Sequence, residues 1–585
     1  MTILPAIAPL TRILPRLVLA WCLLFCLFRG LVNTWLNLSP EGDEGSFVDL
    51  ALNVAEGRGF VQSGLNPMRL QDGFFPPECG RQPLWPLLLS LFADRTPVFF
   101  AEGKLLMLAI SLVAVAATYL LVAMTYGRLA AMLAALVLSV NVVFHFYFVQ
   151  VVCEVPLGVL FFAAFMAMVW GFRDERWWPA AGALAGLAWL TKATVSILLI
   201  TFLLTALIRD RQAALRKKFL WLLLAAFLIT TSPWTIRNWR LFGNPFYDYN
   251  SANVFWLDSW HQFWQPYEPG HLPTLRTYVQ THTLGHAAAR LFGGAKVMAS
   301  QFPVSLTPMP TTLLPLDAQH TDLLGYTLLA VFGFGVLRVG LRRDATEPER
   351  KEMLFVLLLM AAFFVAFSWY SVAGFSVRFL IPLVFIMCAY IGRTLAGGLT
   401  WLAAALRPRI RGLAATSDEA CATALGFGLA ILLLGSTTYD TLRESRRLAW
   451  TEPLKAFHCE PGVLDLLAWV ETETQAADVI SYGPEKHLWL WAIGRSSVFL
   501  PTTPSVAVLR AYLAAWNVRY VIVDAPTLKR RPFLRAYFDS DPQNGMRFNE
   551  GLLSQDLPEL TLTYRTKGVP SEYLVFRVAP SARGR

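Results

Sequence analysis

Long apolar runs recur along this chain, and they restrict its fold more than any other feature. The first, LTRILPRLVLAWCLLFCLFRGLVNTWLNL (10–38), carries only Arg12, Arg16 and Arg29 as charges. Similar runs centre near residues 114, 138, 163, 184, 200, 225, 329, 362, 387 and 429. A helix of about 20 apolar residues crosses the hydrocarbon of a bilayer. Backbone in lipid has no water to bond, so only helices and closed barrels can span it. Runs of this length read as helices, which predicts a polytopic α-helical membrane protein with about 11 transmembrane helices. Composition agrees. Hydrophobic residues are 55% and charged residues 15%, too little charge for the surface of a soluble chain. The N-terminal run is too long for a cleaved signal peptide and no small-residue cleavage site follows it, so it reads as the first span.

The net charge of +10 is not a nucleic-acid signal. Its basic residues sit in short loops between spans: YGR (126–128), FRDER (172–176), IRDRQAALRKK (208–218), RVGLRRDATEPERK (338–351) and RPRIR (407–411). Cytoplasmic loops concentrate Lys and Arg, so these loops and the N-terminus are expected inside. An odd number of spans then puts the C-terminus outside. Three long polar segments share that outer face: 38–101, 233–320 and the tail. Residues 1–437 are expected to form the membrane module and 438–585 a small α/β domain on the outer face. In the tail, ADVISYG, SSVFLP, RYVIVDA and EYLVFRVA read as strands and SVAVLRAYLAAWNV as a helix, which predicts a small α/β domain. Of seven cysteines, Cys79 and Cys459 fall on the face expected to be oxidising, and nothing in the spacing pairs them.

Just past the first run comes EGDEGSFVD (41–49), with Glu41, Asp43, Glu44 and Asp49. Phe47, Leu50, Ala51 and Val54 then recur at helical spacing, as in an amphipathic helix lying on the membrane surface. Asp43 stands at its start, where free N–H groups favour an ionised carboxylate, and EGRG (56–59) ends it. A helix cap followed by a solvated acid explains this pattern as well as a functional site does. Glu154, in FVQVVCEVP, is a second acid beside apolar runs, and such acids face a cavity or a partner when they do not reach water.

The run GDEGSFVDLALNVAEGRGF resembles the first outer loop of the GT-C membrane glycosyltransferases, in particular the protein O-mannosyltransferase and aminoarabinose transferase group. The likeness continues in order through RQPLWPLLLSLF (81–92), GLAWLTKATVSILL (186–199), PWTIRNWRLFGNPF (233–246) and SVRFLIPL (376–383). It covers about the first 400 residues. It implies a GT-C fold and a sugar donor carried on polyprenyl phosphate. The acceptor would be a lipid, glycan or protein at the outer face of a bacterial inner membrane. By the same resemblance Asp43 is the general base, Glu44 a neighbour that orients the acceptor, and Glu154 an acid of the site.

The chemistry is consistent with that assignment. An acceptor hydroxyl attacks an anomeric carbon well only if its proton is taken as the bond forms, and a carboxylate in reach can take it. The departing phosphate gains negative charge, which fixed cations stabilise. Lys192, Arg237 and Arg378 are the candidates, with Arg81 and Arg58 behind them, and Arg can grip phosphate with two parallel hydrogen bonds. Anchoring to lipid head groups is the competing explanation for each. No cofactor motif is present, and the reaction requires no metal, although a divalent ion at the phosphate is compatible with it.

Asp539-Ser540-Asp541 spells DxD, but a nucleotide-sugar metal site has no place in an outer tail, and the segment is expected to be a loop. His282 and His286 have the i, i+4 spacing of metal ligands on a helix, without an evident third ligand nearby. The aromatic-rich NVFWLDSWHQFWQPY (253–267) fits either the membrane interface or a lid over sugar. A transporter and a non-catalytic scaffold are the alternatives. No transporter-type internal repeat is visible.

Overall fold

All eleven apolar runs are helical. This computed structural model describes residues 7–579 except 37–42, 66–67, 70–75, 95–97, 266, 268–269, 312–317, 375, 410–416, 447–460, 484–494, 502–504, 542–544 and 567–571. Among the described residues, nine helices are long and apolar enough to cross a membrane. They are α1 (Ile7–Leu36), α3 (Val98–Tyr126), α5 (Glu154–Gly171), α7 (Ser196–Asp210, which with its leading turn Ala193–Val195 spans 18 residues), α8 (Lys218–Phe242), α11 (Ala318–Leu341), α12 (Glu347–Gly374), α13 (Ile381–Leu406) and α14 (Asp418–Ser445). Side chains such as Leu24, Met124, Ile229, Phe334 and Trp401 are exposed, a surface suited to lipid rather than water.

The other two runs form α4 (Arg128–Ser139) and α6 (Trp178–Trp189), of 12 residues each. At 1.5 Å per residue such a helix is about 18 Å long, short of the roughly 30 Å of hydrocarbon. Both pack against longer neighbours. Every residue from Ala130 to Ser139 is buried. In α6, Gly182 and Gly186 meet α8 so closely that a Cβ on Gly182 would lie 2.1 Å from the Leu223 carbonyl oxygen.

The basic loops gather at one end of the bundle. Lys217 pairs with Glu175 at 2.8 Å, Arg209 with Glu347 at 2.6 Å and Lys351 with Asp210 at 2.6 Å, which ties 172–176, 208–218 and 338–351 together. At the other end lie α2 (Asp43–Ala55), α9 (Leu275–Thr281) and α10 (Leu284–Val304).

Helix α2 is not the interfacial helix its periodicity predicts. Every residue from Glu44 to Asn53 is buried, because the loop that follows folds back over its polar side. That return starts at Gly57 and Gly59, whose φ of 78° and 84° are costly for residues with a Cβ. The loop then contributes β1 (Gly64–Leu65), which joins a sheet of the tail.

That sheet has the order β1-β3-β2-β4-β8-β7, built from β2 (Val479–Tyr482), β3 (Ser496–Phe499), β4 (Val518–Val523), β7 (Leu560–Arg565) and β8 (Leu574–Val578). The four predicted strands are β2, β3, β4 and β8, and the predicted helix is Val506–Ala515. Alternation sorts their side chains. Ile480, Tyr482, Phe499, Ile522 and Val575 belong to one core with the membrane helices. Val479, Val498, Val521, Val523 and Phe576 belong to a second core inside the tail. The tail is thus built into the membrane module, with a strand supplied by residues 64–65.

The DxD segment is not a loop. Asp539 and Asp541 lie in β5 (Phe538–Asp541), paired antiparallel with β6 (Gly545–Phe548), and Asp539 stands opposite Arg547. Cys79 is buried, and Cys459 lies outside the described residues.

Candidate active site

Four segments end at the same place. Asp43 opens α2 and Glu154 opens α5. Lys192 is in extended backbone just after α6, at the start of a one-turn 3-10 helix (Ala193–Val195). Arg378 lies in the 3-10 turn Val377–Leu380, which precedes α13 and its Pro382. Proline fits the first turn of a helix, where its missing N–H is not needed, so SVRFLIPL places Arg378 at a helix entrance.

The charges form a chain. Arg378 Nη2 donates to Asp43 Oδ2 at 2.5 Å, and its Nε is 3.6 Å from Glu154 Oε1. Lys192 Nζ donates to the same Glu154 oxygen at 3.0 Å. Arg81 Nη2 donates to the other oxygen of Asp43 at 3.0 Å. Glu154 Oε2 is buried and has no hydrogen bond among the described residues. Two carboxylates therefore stand among three cations. Lys192 Nζ also lies 4.4 Å from the centre of the Phe379 ring.

This chain borders a cavity of about 910 Å³, lined also by Trp189, Trp256, Trp260, Tyr370 and Phe499. Charged groups and aromatic faces together suit a ligand with both polar and apolar parts. The aromatic stretch 253–267 forms one wall. Phe499 brings the tail to another.

The cavity has further acids that the sequence reading did not assign. Asp49 accepts from the Ser63 N–H at 2.9 Å and from Asn53 Nδ2 at 3.3 Å. Asp248 accepts from the N–H and hydroxyl of Ser251, both at 2.8 Å, and from Gln82 Nε2 at 3.3 Å. Burial pushes both carboxyls up to about 6, against the pull of these hydrogen bonds. Asp49 closes the acidic run at α2, which is a visible signal. Asp248, in YDYN, follows the Asn-Pro-Phe segment with no local mark of its burial. Arg69 also lines the cavity, bonded to the Pro77 carbonyl at 3.0 Å.

Three of the predicted site residues lie elsewhere. Glu44 points away from the cavity and accepts the Val151 N–H at 2.7 Å, as expected for neighbours on a helix, whose side chains diverge by about 100°. It braces α2 against the segment leading to Glu154. Arg58 bonds Asn53 at 3.0 Å and pairs with Glu56, at the turn that ends α2. Arg237 donates to the Phe60 carbonyl at 3.2 Å and stacks on Trp234 at 4.2 Å, holding the first loop against α8. None of the three lines the cavity. His282 and His286 do have a third partner: the fold brings Asp258 to them, with the three ligand atoms within 4.8 Å of one another.

Residues 83–236 match the family model described as dolichyl-phosphate-mannose-protein mannosyltransferase. No curated protein matches by sequence. Among solved structures, the archaeal oligosaccharyltransferase AglB from Archaeoglobus fulgidus, in complex with an inhibitory peptide and a dolichol-phosphate, is similar with a TM-score of 0.53 and 14% identity, over 92% of this chain and 74% of that one. ArnT from Cupriavidus metallidurans, bound to undecaprenyl phosphate, is similar with a TM-score of 0.51 and 12% identity, over 97% of this chain and 98% of that one. The chain has the fold of the GT-C membrane glycosyltransferases.

Proposed function

We propose that this chain is a glycosyltransferase that moves a sugar from a polyprenyl-phosphate donor to an acceptor at the outer membrane face, with inversion at the anomeric carbon. The observation that carries this reading is the Asp43–Arg378–Glu154–Lys192 chain at the edge of an aromatic cavity. Both similar structures hold a polyprenyl phosphate, which supports a lipid-borne donor here.

These contacts imply an order of events. Arg81 and Arg378 both hold Asp43, and Lys192 and Arg378 both face Glu154. A donor phosphate offers Arg378 and Lys192 a better partner than a shared carboxylate, since it presents several charged oxygens. Drawing Arg378 toward the phosphate leaves an oxygen of Asp43 open to the acceptor hydroxyl. The acceptor hydroxyl then forms its bond to the anomeric carbon, its proton passes to Asp43, and the bond to phosphate oxygen breaks. The phosphate leaves with its electron pair toward Arg378 and Lys192. Glu154 keeps Lys192 and Arg378 side by side.

Turnover of a polyprenyl-phosphate sugar by the purified protein in detergent tests the reading, with released lipid phosphate as the readout. Wild-type turnover that is lost in Asp43→Asn, with the melt retained, supports it. Substrate-dependent flux in vesicles without turnover would instead mark a transporter. Turnover unaffected by Asp43→Asn would remove Asp43 from the mechanism.

A further inference from the structure

We propose that Asp258, His282 and His286 form a binding site for a divalent transition metal of the zinc class, which clamps the aromatic wall of the cavity to the start of α10. The three residues come from separate elements. Asp258 lies between the 3-10 turns Val254–Trp256 and Trp260–Trp264. His282 caps the end of α9, and His286 is in the first turn of α10, where its N–H bonds the Thr283 hydroxyl at 3.2 Å.

The distances are near those a metal needs. His282 Nε2 is 3.1 Å from Asp258 Oδ2, and His286 Nε2 is 3.9 Å from Asp258 Oδ1. Ligands at about 2.0 Å from a tetrahedral zinc lie roughly 3.3 Å apart. The first separation already matches. The second closes by rotation of the His286 side chain, which is 53% exposed. The fourth position would then face water.

Two further observations suit a metal at this position. The first is the orientation of His282, whose Nδ1 lies 3.1 Å from the Tyr278 carbonyl oxygen and 2.9 Å from the Thr281 hydroxyl. A carbonyl only accepts, which assigns the proton to Nδ1 and leaves the Nε2 lone pair directed at a carboxylate. Metal-ligating histidines are held in this way. Two lone pairs at 3.1 Å repel unless a metal ion or a proton lies between them, and zinc titration separates the two. The second is Asp258 Oδ1, which is buried and accepts no hydrogen bond among the described residues. Arg290 Nη1 is 3.6 Å from it, beyond hydrogen-bond reach. Its Nε and Nη2 hold the Trp369 carbonyl at 3.2 Å and the Phe255 carbonyl at 3.1 Å, and the guanidinium stacks on the Trp369 ring at 4.5 Å, while Nη1 has no hydrogen bond among the described residues and shares the Asp258 carboxylate as a long ion pair.

Two imidazoles and one carboxylate suit zinc, cobalt or nickel rather than calcium or magnesium, which prefer all-oxygen shells. The consequence lies in Phe255, Trp256 and Trp260, which flank Asp258 and line the cavity. A metal would hold that wall to α9 and α10 independently of whether sugar transfer is the reaction.

The test uses the full chain in detergent, stripped with a chelator and titrated with zinc alone. Metal retained after desalting is read by mass spectrometry, and cobalt substitution is read by visible absorption. Wild type should keep one zinc per chain, show the absorption of tetrahedral cobalt, and melt higher with zinc than without. His286→Ala should melt like the wild type in chelator, because the side chain is exposed. Losing an outer-shell partner already costs 10- to 100-fold in metal affinity, so His286→Ala should weaken zinc binding by about 10²-fold or more. Asp258→Asn should likewise lose the zinc-dependent rise in melting temperature. No zinc on the wild type, or equal zinc on wild type and His286→Ala, would reduce the cluster to an ion pair between protonated His282 and Asp258.

Discussion

Asp43 is held by Arg81 and Arg378, so its role can be separated from its contribution to stability. Asp43→Asn keeps the shape and one acceptor oxygen and loses the proton acceptor. Because the pair is partly exposed, stability should fall by about 1 kcal/mol. Turnover should fall by about 10² to 10⁴. Donor turnover measured beside a thermal melt checks this, and a rate loss that tracks a lost melt would make Asp43 structural. Arg378→Ala should lower turnover by about 10²-fold, with partial recovery in Arg378→Lys, which restores charge without the planar grip. Arg237→Ala should do the reverse, lowering the melt by the equivalent of about 1–2 kcal/mol through the lost stacking while the folded enzyme turns over normally. Asp49 and Asp248 give a pH signature. A carboxyl raised from 3.8 to about 6 in the folded protein binds its proton more tightly there than when unfolded. Its stabilising contribution is full below the unfolded value and is lost as pH rises through the folded one. The wild-type melting temperature should therefore decline between about pH 4 and pH 6, and Asp248→Asn, which can still cap Ser251, should reduce that decline.

At the scale of elements, the position of Lys192 depends on the contact of α6 with α8. Gly182 and Gly186 let the two backbones approach, and a Cβ on Gly186 would lie 2.7 Å from Thr230 Cβ. Small residues four apart are a common device for helix contact in lipid, where packing replaces the hydrophobic effect. Gly182→Leu should force the helices apart at a cost of about 1–3 kcal/mol or more. It should also weaken donor use, because Lys192 sits three residues past the end of α6. A lowered melt with donor KM unchanged would show that the turn is positioned by other contacts. GALAG is visible in the sequence, but its spacing does not say which of ten other helices it meets. The shortness of α4 and α6 is likewise hard to read, since an enclosed helix and a lipid-facing one have the same apolar composition.

For the whole molecule, the tail is part of the cavity. Phe499, on β3, lines it and lies 5.9 Å from Trp264, and β3 pairs with β1 from the first loop through Ser497 and Gly64. Phe499→Ala should raise donor KM several-fold with little change in the melt of the membrane helices, since it opens a wall without touching the charged chain. Residues 1–437 expressed alone should be inactive and less stable, because β1 loses its partner and Ile480, Tyr482, Ile522 and Val575 leave the shared core. Activity retained by that fragment would support the boundary at 437 as a functional division.

What the sequence determined by itself follows from local chemistry. Apolar runs must be helical in lipid, so eleven helices could be counted although nine of them are long enough to cross, and charge in short loops sorted the ends of the bundle. Short β-rich runs marked four of the tail strands, and the positions of Asp43, Glu154, Lys192, Arg378 and Arg81 at ends of apolar runs placed them on one face. What only the tertiary structure decided is direction and pairing over long separations. Neighbouring residues on α2 diverge, so Asp43 meets Arg378 while Glu44 meets the backbone of Val151. Arg237 carries the same charge as Arg378, but its helix turns it toward Phe60 and Trp234. Asp258 reaches His282 and His286 across more than one element, and a strand at 64–65 joins one at 496–499. No local pattern encodes these contacts, because each depends on where the rest of the chain places the partner.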